Sequence, residues 1–225
     1  MDSGSNNLLK VSLNEAKDIQ KKLAQEIEIC RLPSTIKRVA GFDISYLNEK
    51  NLMIAGMVII DFPSLNFIDS HVITDHIFFP YIPGYLSFRE APALLKLIET
   101  HHHQADVFVF DGHGVAHPRG LGIASHIGVL AKKPSIGCAK KKLVGSYQEP
   151  GNHRGESTDL VYKDSIIGKV LRTKPNIKPV FISVGNMATL KEATAFMLSC
   201  TGKFRLPEPT RLAHMTVSKF KNEIQ

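Results

Sequence analysis

Two short, turn-rich stretches, Asn48-Glu-Lys-Asn51 and Pro63-Ser-Leu-Asn66, join three strand-like runs: Arg38 to Tyr46, Leu52 to Ile60 and Phe67 to Ile77. Connections of that length close hairpins but cannot carry a chain across a sheet, so the three strands must form an antiparallel meander. The pattern then changes. Ala93 to His101 has helical periodicity, Asp106 to Phe110 reads as a buried strand ending at Asp111, and a glycine-rich stretch, 112–122, leads into a helix from Ile123 to Lys132. Ser135 to Ala139 is another short strand. After a polar loop at 148–157, Ser165 to Thr173 and Val180 to Val184 are extended, and Thr189 to Cys200 and Thr210 to Glu223 are helical. Near the start, Ser12-Leu-Asn-Glu15 has capping-box spacing and opens a helix over 13–29. The order β-β-β-α-β-α-β predicts an α/β fold, a mixed sheet with helices packed on its faces. A fourth strand that returns beside the first would run parallel to it, with both carboxyl ends at one edge.

Composition narrows the function classes. The chain shows no repeat, low-complexity tract or linker, which predicts a single domain over 1–225 with the first nine residues loose. No apolar run approaches the roughly 20 residues that span a bilayer. The opening MDSGSNNLLK has neither the basic start nor the apolar stretch of a secretory signal. Three cysteines, Cys30, Cys138 and Cys200, lie far apart, which excludes a disulfide framework or paired-cysteine zinc module and fits a reducing cytoplasm. A net charge of +7 favours polyanionic partners.

Asp43 lies within the apolar run Val39-Ala-Gly-Phe-Asp-Ile, and Asp111 ends Val107-Phe-Val-Phe-Asp. A carboxylate amid such residues is unfavourable unless a cation or hydrogen bonds compensate it. Either alone reads as a polar cap on a strand end; paired at the carboxyl ends of neighbouring parallel strands, they make a hard-oxygen site for Mg²⁺. Ser87-Phe-Arg-Glu90 has capping-box spacing, but a helix begun at Ser87 would enclose Pro92. The helix is therefore expected to start near Ala91, leaving Glu90 at its mouth as a third carboxylate. His214, one turn into the last helix, is by itself an ordinary surface or packing histidine, and the run His101 to His103 reads as a solvated helix end. The glycines of 112–122 lack the signature of a nucleotide loop but offer close approach to a flat ligand. Of Lys140, Lys141 and Lys142, one could face a phosphate. Pro80 and Pro83 stiffen Phe78-Phe-Pro-Tyr-Ile-Pro-Gly84, which suits a rigid turn that buries an aromatic or, less simply, a wedge for a base stack.

Taken together, Val39 to Asp43, PYIPGYLSFRE at 80–90, FDGHGVAHPR at 110–119, Gly122 to His126, Ile136 to Lys140 and LPEPTRLAH at 206–214 resemble the endonuclease V family, the deoxyinosine 3′ endonucleases, in order and over nearly the whole chain. The resemblance implies a ribonuclease H-like mixed sheet with helices on both faces. It implies Mg²⁺-dependent hydrolysis, with Mn²⁺ able to substitute, of the second phosphodiester bond 3′ to hypoxanthine, leaving 3′-hydroxyl and 5′-phosphate ends. In that scheme Asp43, Asp111 and Glu90 hold metal, His214 stands near a second metal or the reacting phosphate, and Lys140 faces the catalytic centre. Tyr81, with Pro80, Ile82 and Pro83, is the wedge. The extruded base enters a pocket lined by Leu86, Gly112, Gly122, Ile123 and Leu143. Cys138 stands where the family pattern has valine, a swap of similar size. The implied partner is inosine-containing DNA, with inosine-containing RNA as the alternative, acted on by a cytoplasmic monomer that engages no membrane. The rival readings are another ribonuclease H-like nuclease, which has no use for the wedge, and a non-catalytic nucleic-acid-binding module, which would lack one of the acidic residues.

Overall fold

The structure is a computed structural model that describes residues 11–101 and 104–224. The loose amino terminus expected over 1–9, and His102 and His103 of the histidine run, lie outside the described residues. One eight-stranded sheet has the order β3-β2-β1-β4-β5-β8-β7-β6. Its first three strands, β1 (Arg38–Leu47), β2 (Leu52–Asp61) and β3 (Phe67–His76), form the antiparallel meander that their short connections dictate. β4 (Val107–Phe110) returns beside β1 in parallel, and β5 (Ser135–Ala139) runs parallel to β4. β8 (Val180–Asn186) joins β5 antiparallel and carries the hairpin of β6 (Ser157–Tyr162) and β7 (Ser165–Leu171) at the far edge.

Alternation along the central strands sorts the core into two layers. Ala40, Phe42, Phe108 and Phe110 face α1 (Leu13–Gln25), α2 (Leu86–His101) and α3 (Ile123–Ala131). Val39, Val107, Val109 and Ile136 face α4 (Leu190–Ser199) and α5 (Glu208–Ile224). Cys138 and Cys200 are buried in the second layer, where a thiol behaves as a small apolar group, and burial pushes the Cys200 thiol up to about 12. This is the ribonuclease H-like arrangement, with helices on both faces.

Three expectations need correction. α1 stops at Gln25 rather than 29, because the next residues exchange helical bonds for tertiary ones: the Glu28 N–H donates to Asn186 Oδ1 at 2.9 Å and its carbonyl accepts from the Met187 N–H at 2.7 Å. α2 begins at Leu86 and runs through Pro92, so Glu90 lies in its second turn and not at its mouth. Phe88, Ala91, Leu94, Leu95 and Ile98 continue one buried face across the proline, and that burial outweighs a single missing hydrogen bond. The stretch after the polar loop at 148–157 contains a strand, β6, which had no expected counterpart.

Candidate active site

Phe42 of β1 pairs with Phe110 of β4 in parallel register, with rings stacked at 4.6 Å, and the Asp111 N–H donates to the Phe42 carbonyl at 3.2 Å. The next residue on each chain is a carboxylate, Asp43 and Asp111. Alternation turns both away from the phenylalanine layer, toward α5. α5 comes unusually close there: a Cβ on Gly41 would lie 2.0 Å from the Pro209 carbonyl oxygen, so only glycine permits the approach. His214, two turns into α5, thereby places Nδ1 2.9 Å from Asp43 Oδ2. From the end of β5, Lys140 Nζ reaches Asp111 Oδ2 at 2.5 Å. Glu90 approaches from α2 and accepts from the Tyr46 hydroxyl at 2.7 Å.

The three carboxylates open on one recess of about 50 Å³, walled by Phe42, Ile44, Leu94, Phe110 and Ile123. Their electrostatics follow from that crowding. Burial, and then the Asp111 charge, hold the Asp43 carboxyl above its usual range. Burial pushes Glu90 up to about 7; the Tyr46 hydrogen bond opposes the rise, and Asp43 and Asp111 add to it. Among the described residues no group of three His, Cys, Asp or Glu side chains is already gathered as a ligand set, and Lys140 and His214 each contact one aspartate oxygen.

A second cavity, of about 220 Å³, shares Glu90, Asp111 and Ile123 with the recess. Leu86, Gly112, Gly122, Ile123 and Leu143 all line it, as do Tyr81, Ile82 and Pro83. Gly122 is required by the chain's own backbone, since a Cβ there would lie 2.3 Å from the His113 carbonyl oxygen. At the cavity mouth Tyr81 is 69% exposed, so the turn does not bury its aromatic; Pro80 is also exposed, and Ile82 is the residue that packs on the core.

Several residues here were not expected from the sequence. The Gly84 carbonyl, at φ +80°, accepts from Gln20 Nε2 at 2.9 Å and Arg119 Nη2 at 2.5 Å, and His117 Nε2 lies 3.1 Å away. Arg119 Nε donates to Gln20, and Arg89 Nη1 donates to the Phe79 carbonyl at 3.1 Å. The proline-bounded loop is thus tied at both ends to α1, α2 and the segment before α3. Gln20 did leave a signal, as a polar residue on the apolar stripe Ala16, Gln20, Leu23 of an amphipathic helix.

A family model, Endonuclease V, matches residues 21–215. The chain belongs to the Endonuclease V family. Endonuclease V from Kosmotoga olearia is 45% identical over 212 residues, covering 94% of this chain and 93% of that one. The crystal structure of Endonuclease V from Streptomyces avermitilis, 36% identical, superposes with a TM-score of 0.88 over 96% of this chain and 95% of that chain. Ciona intestinalis Endonuclease V, solved in complex with DNA containing an inosine followed by a ribo-adenosine, is 26% identical with a TM-score of 0.83, covering 95% of this chain and 99% of that one. As an Endonuclease V family member this chain is an endonuclease, a hydrolase of phosphodiester bonds. Among its described residues, no helix is long and apolar enough to cross a membrane.

Proposed function

We propose that the chain recognises hypoxanthine in DNA and hydrolyses the second phosphodiester bond 3′ to it, leaving 3′-hydroxyl and 5′-phosphate ends, in the repair of deaminated adenine. One observation carries the reading: a recess of three carboxylates shares Glu90, Asp111 and Ile123 with a neighbouring cavity of about 220 Å³, which an exposed tyrosine also lines. The Ciona intestinalis relative bound to inosine-containing DNA supports the choice of base.

The donor set fits a hard divalent cation. Asp43, Asp111 and Glu90 supply carboxylate oxygen only, and burial first, with the neighbouring carboxylates adding to it, holds Asp43 and Glu90 above their usual range. Mg²⁺, or Mn²⁺ in its place, would be held by these three, with His214 beside Asp43; when bound it activates water and stabilises charge on the phosphate oxygens. The chain's own residues do the rest. Lys140 brings a positive charge to the edge where the phosphate gains negative charge. The Tyr46 hydroxyl fixes one Glu90 oxygen and so aims the carboxylate. The cavity takes an extruded base, a step made easier by the weak pairing of inosine, and Tyr81 fills the gap left in the stack. Three unpaired cysteines fit the cytoplasm.

Inosine-containing DNA and RNA oligonucleotides, with adenine controls, test the reading in Mg²⁺ with a product-size readout. The expected product is a single cut directly 3′ to the nucleotide that follows inosine, in DNA, abolished by chelation. Cutting of adenine controls at equal rate, or preference for RNA over DNA, would overturn the assignment.

A further inference from the structure

The carboxylate recess has a flank that no part of the proposed reaction uses. After α4 the chain forms a loop, 201–207, that carries Lys203, Phe204 and Arg205. Side chains fasten it to neighbouring backbone. Arg205 donates to the carbonyls of Lys178 at 2.7 Å, Pro179 at 2.8 Å and Lys140 at 3.2 Å. Thr173 Oγ1 donates to the Arg205 carbonyl at 2.7 Å, and Lys174 Nζ donates to that of Lys203. On this fixed loop the Phe204 ring is 46% exposed, with the Arg211 guanidinium 4.4 Å from its centroid. Lys203, next in sequence, and Lys178, whose carbonyl accepts from Arg205, are both exposed, and among the described residues neither forms an ion pair.

The position matters as much as the composition. Arg205 ties the loop to the backbone of Lys140, whose ammonium rests on Asp111. Arg211, stacked on Phe204, is three residues before His214 in α5 and so neighbours it on the same helical face. His214 in turn rests on Asp43. Phe204 therefore lies one side chain away from each flank of the carboxylates, on the α5 side of the sheet. Tyr81 and the base-sized cavity lie on the α2 and α3 side.

We propose that Lys178, Lys203 and Phe204 form a nucleic-acid contact surface beyond the cut, holding the substrate strand 3′ to the hydrolysed bond. This rests on the proposed reading, in which the bond lies 3′ to the lesion. A strand with its lesion in the cavity and its reacting phosphate at Asp43 and Asp111 leaves the recess over His214 and Lys140, toward Phe204. The lysines neutralise phosphates, and the ring offers a flat apolar platform to a base or sugar. Neither contact reads sequence, so the surface adds affinity without altering lesion choice.

The test uses inosine duplexes with a fixed 5′ arm and progressively shortened 3′ arms. Wild-type affinity is expected to fall as the 3′ arm shortens. With the long arm, Phe204→Ala is expected to weaken binding about tenfold. Lys178→Ser combined with Lys203→Ser is expected to reduce the slope of log affinity against log salt by about two. With the shortest arm both variants should match wild type, and their melting temperatures should be unchanged. Equal weakening at every arm length, or no weakening at any, overturns the proposal. Wild-type preference for inosine over adenine, measured in the same series, reports on the lesion reading alone.

Discussion

Removing the Tyr81 ring separates recognition from stability, because the loop that carries it is held by its neighbours. Ile82 packs on the core, and the Gly84 carbonyl is gripped by Gln20 and Arg119, while Tyr81 itself is 69% exposed. Truncation of so exposed a side chain changes stability by about 0.5 kcal/mol at most, which for a chain of this size is about 1–2 °C in melting temperature. The binding consequence is larger. A base stacked on an aromatic ring is worth about 1–3 kcal/mol, so Tyr81→Ala is expected to weaken binding to an inosine duplex by about 5- to 150-fold. Undamaged duplex is held mainly through phosphates and should bind nearly as before. Discrimination between inosine and adenine duplexes therefore shrinks while the protein remains folded. Thermal unfolding of Tyr81→Ala, measured beside its affinity for both duplexes, decides the matter. A fall in melting temperature of more than about 5 °C with discrimination intact would refute the wedge and make Tyr81 a structural residue.

Asp43→Asn and Asp111→Asn are each expected to abolish cleavage in Mg²⁺ while leaving the fold and most oligonucleotide affinity in place, since phosphate binding is shared among many lysines and arginines; nicking within about tenfold of wild type would sink the metal assignment. Lys140→Ala is expected to slow cleavage by about 100-fold or more with little effect on binding, and equal losses in rate and affinity would make Lys140 an ordinary phosphate contact. His117 and His126 are held neutral by burial, each pushed down to about 4. As pH falls from 6.5 toward 4 the unfolded chain takes protons that these native imidazoles refuse, so each removes about 1.4 kcal/mol of stability per pH unit. Glu90 opposes this, because a carboxyl raised to about 7 gains its proton in the native state first. In a Glu90→Gln background the unfolding free energy should decline over that window, and a level profile would contradict the buried, neutral histidines.

The meander was legible because short turns and apolar runs leave few alternatives, whereas the return of β4 beside β1 stood only as a condition until the folded chain supplied it. Asp43 and Asp111 were legible for the same reason, as carboxylates placed where apolar residues are the rule. β6 was not, because an edge hairpin buries little: only Leu160 of its six residues is fully buried, so neither alternation nor an apolar run marks it. Reading Pro92 as a helix boundary failed because local backbone rules were outweighed by a buried face extending on both sides of it. The grip of Gln20 and Arg119 on Gly84 joins residues 64 and 35 positions apart, and only the folded chain brings them together.

The arrangement of charge explains why the site sits at this edge of the sheet. Parallel pairing of Phe42 with Phe110 forces the following residues into adjacency, and both are acidic. Two carboxylates held side by side, with a third behind them, destabilise the folded chain unless something positive offsets them. Lys140 brings such a charge to Asp111, and His214 hydrogen-bonds Asp43 from a different element. Both side chains are partly exposed, His214 at 53% and Lys140 at 35%, so either could yield to a cation held by the carboxylates without change to the sheet. These two side chains thus border the carboxylates from α5 and from the end of β5 rather than from the buried strands that form the floor of the site.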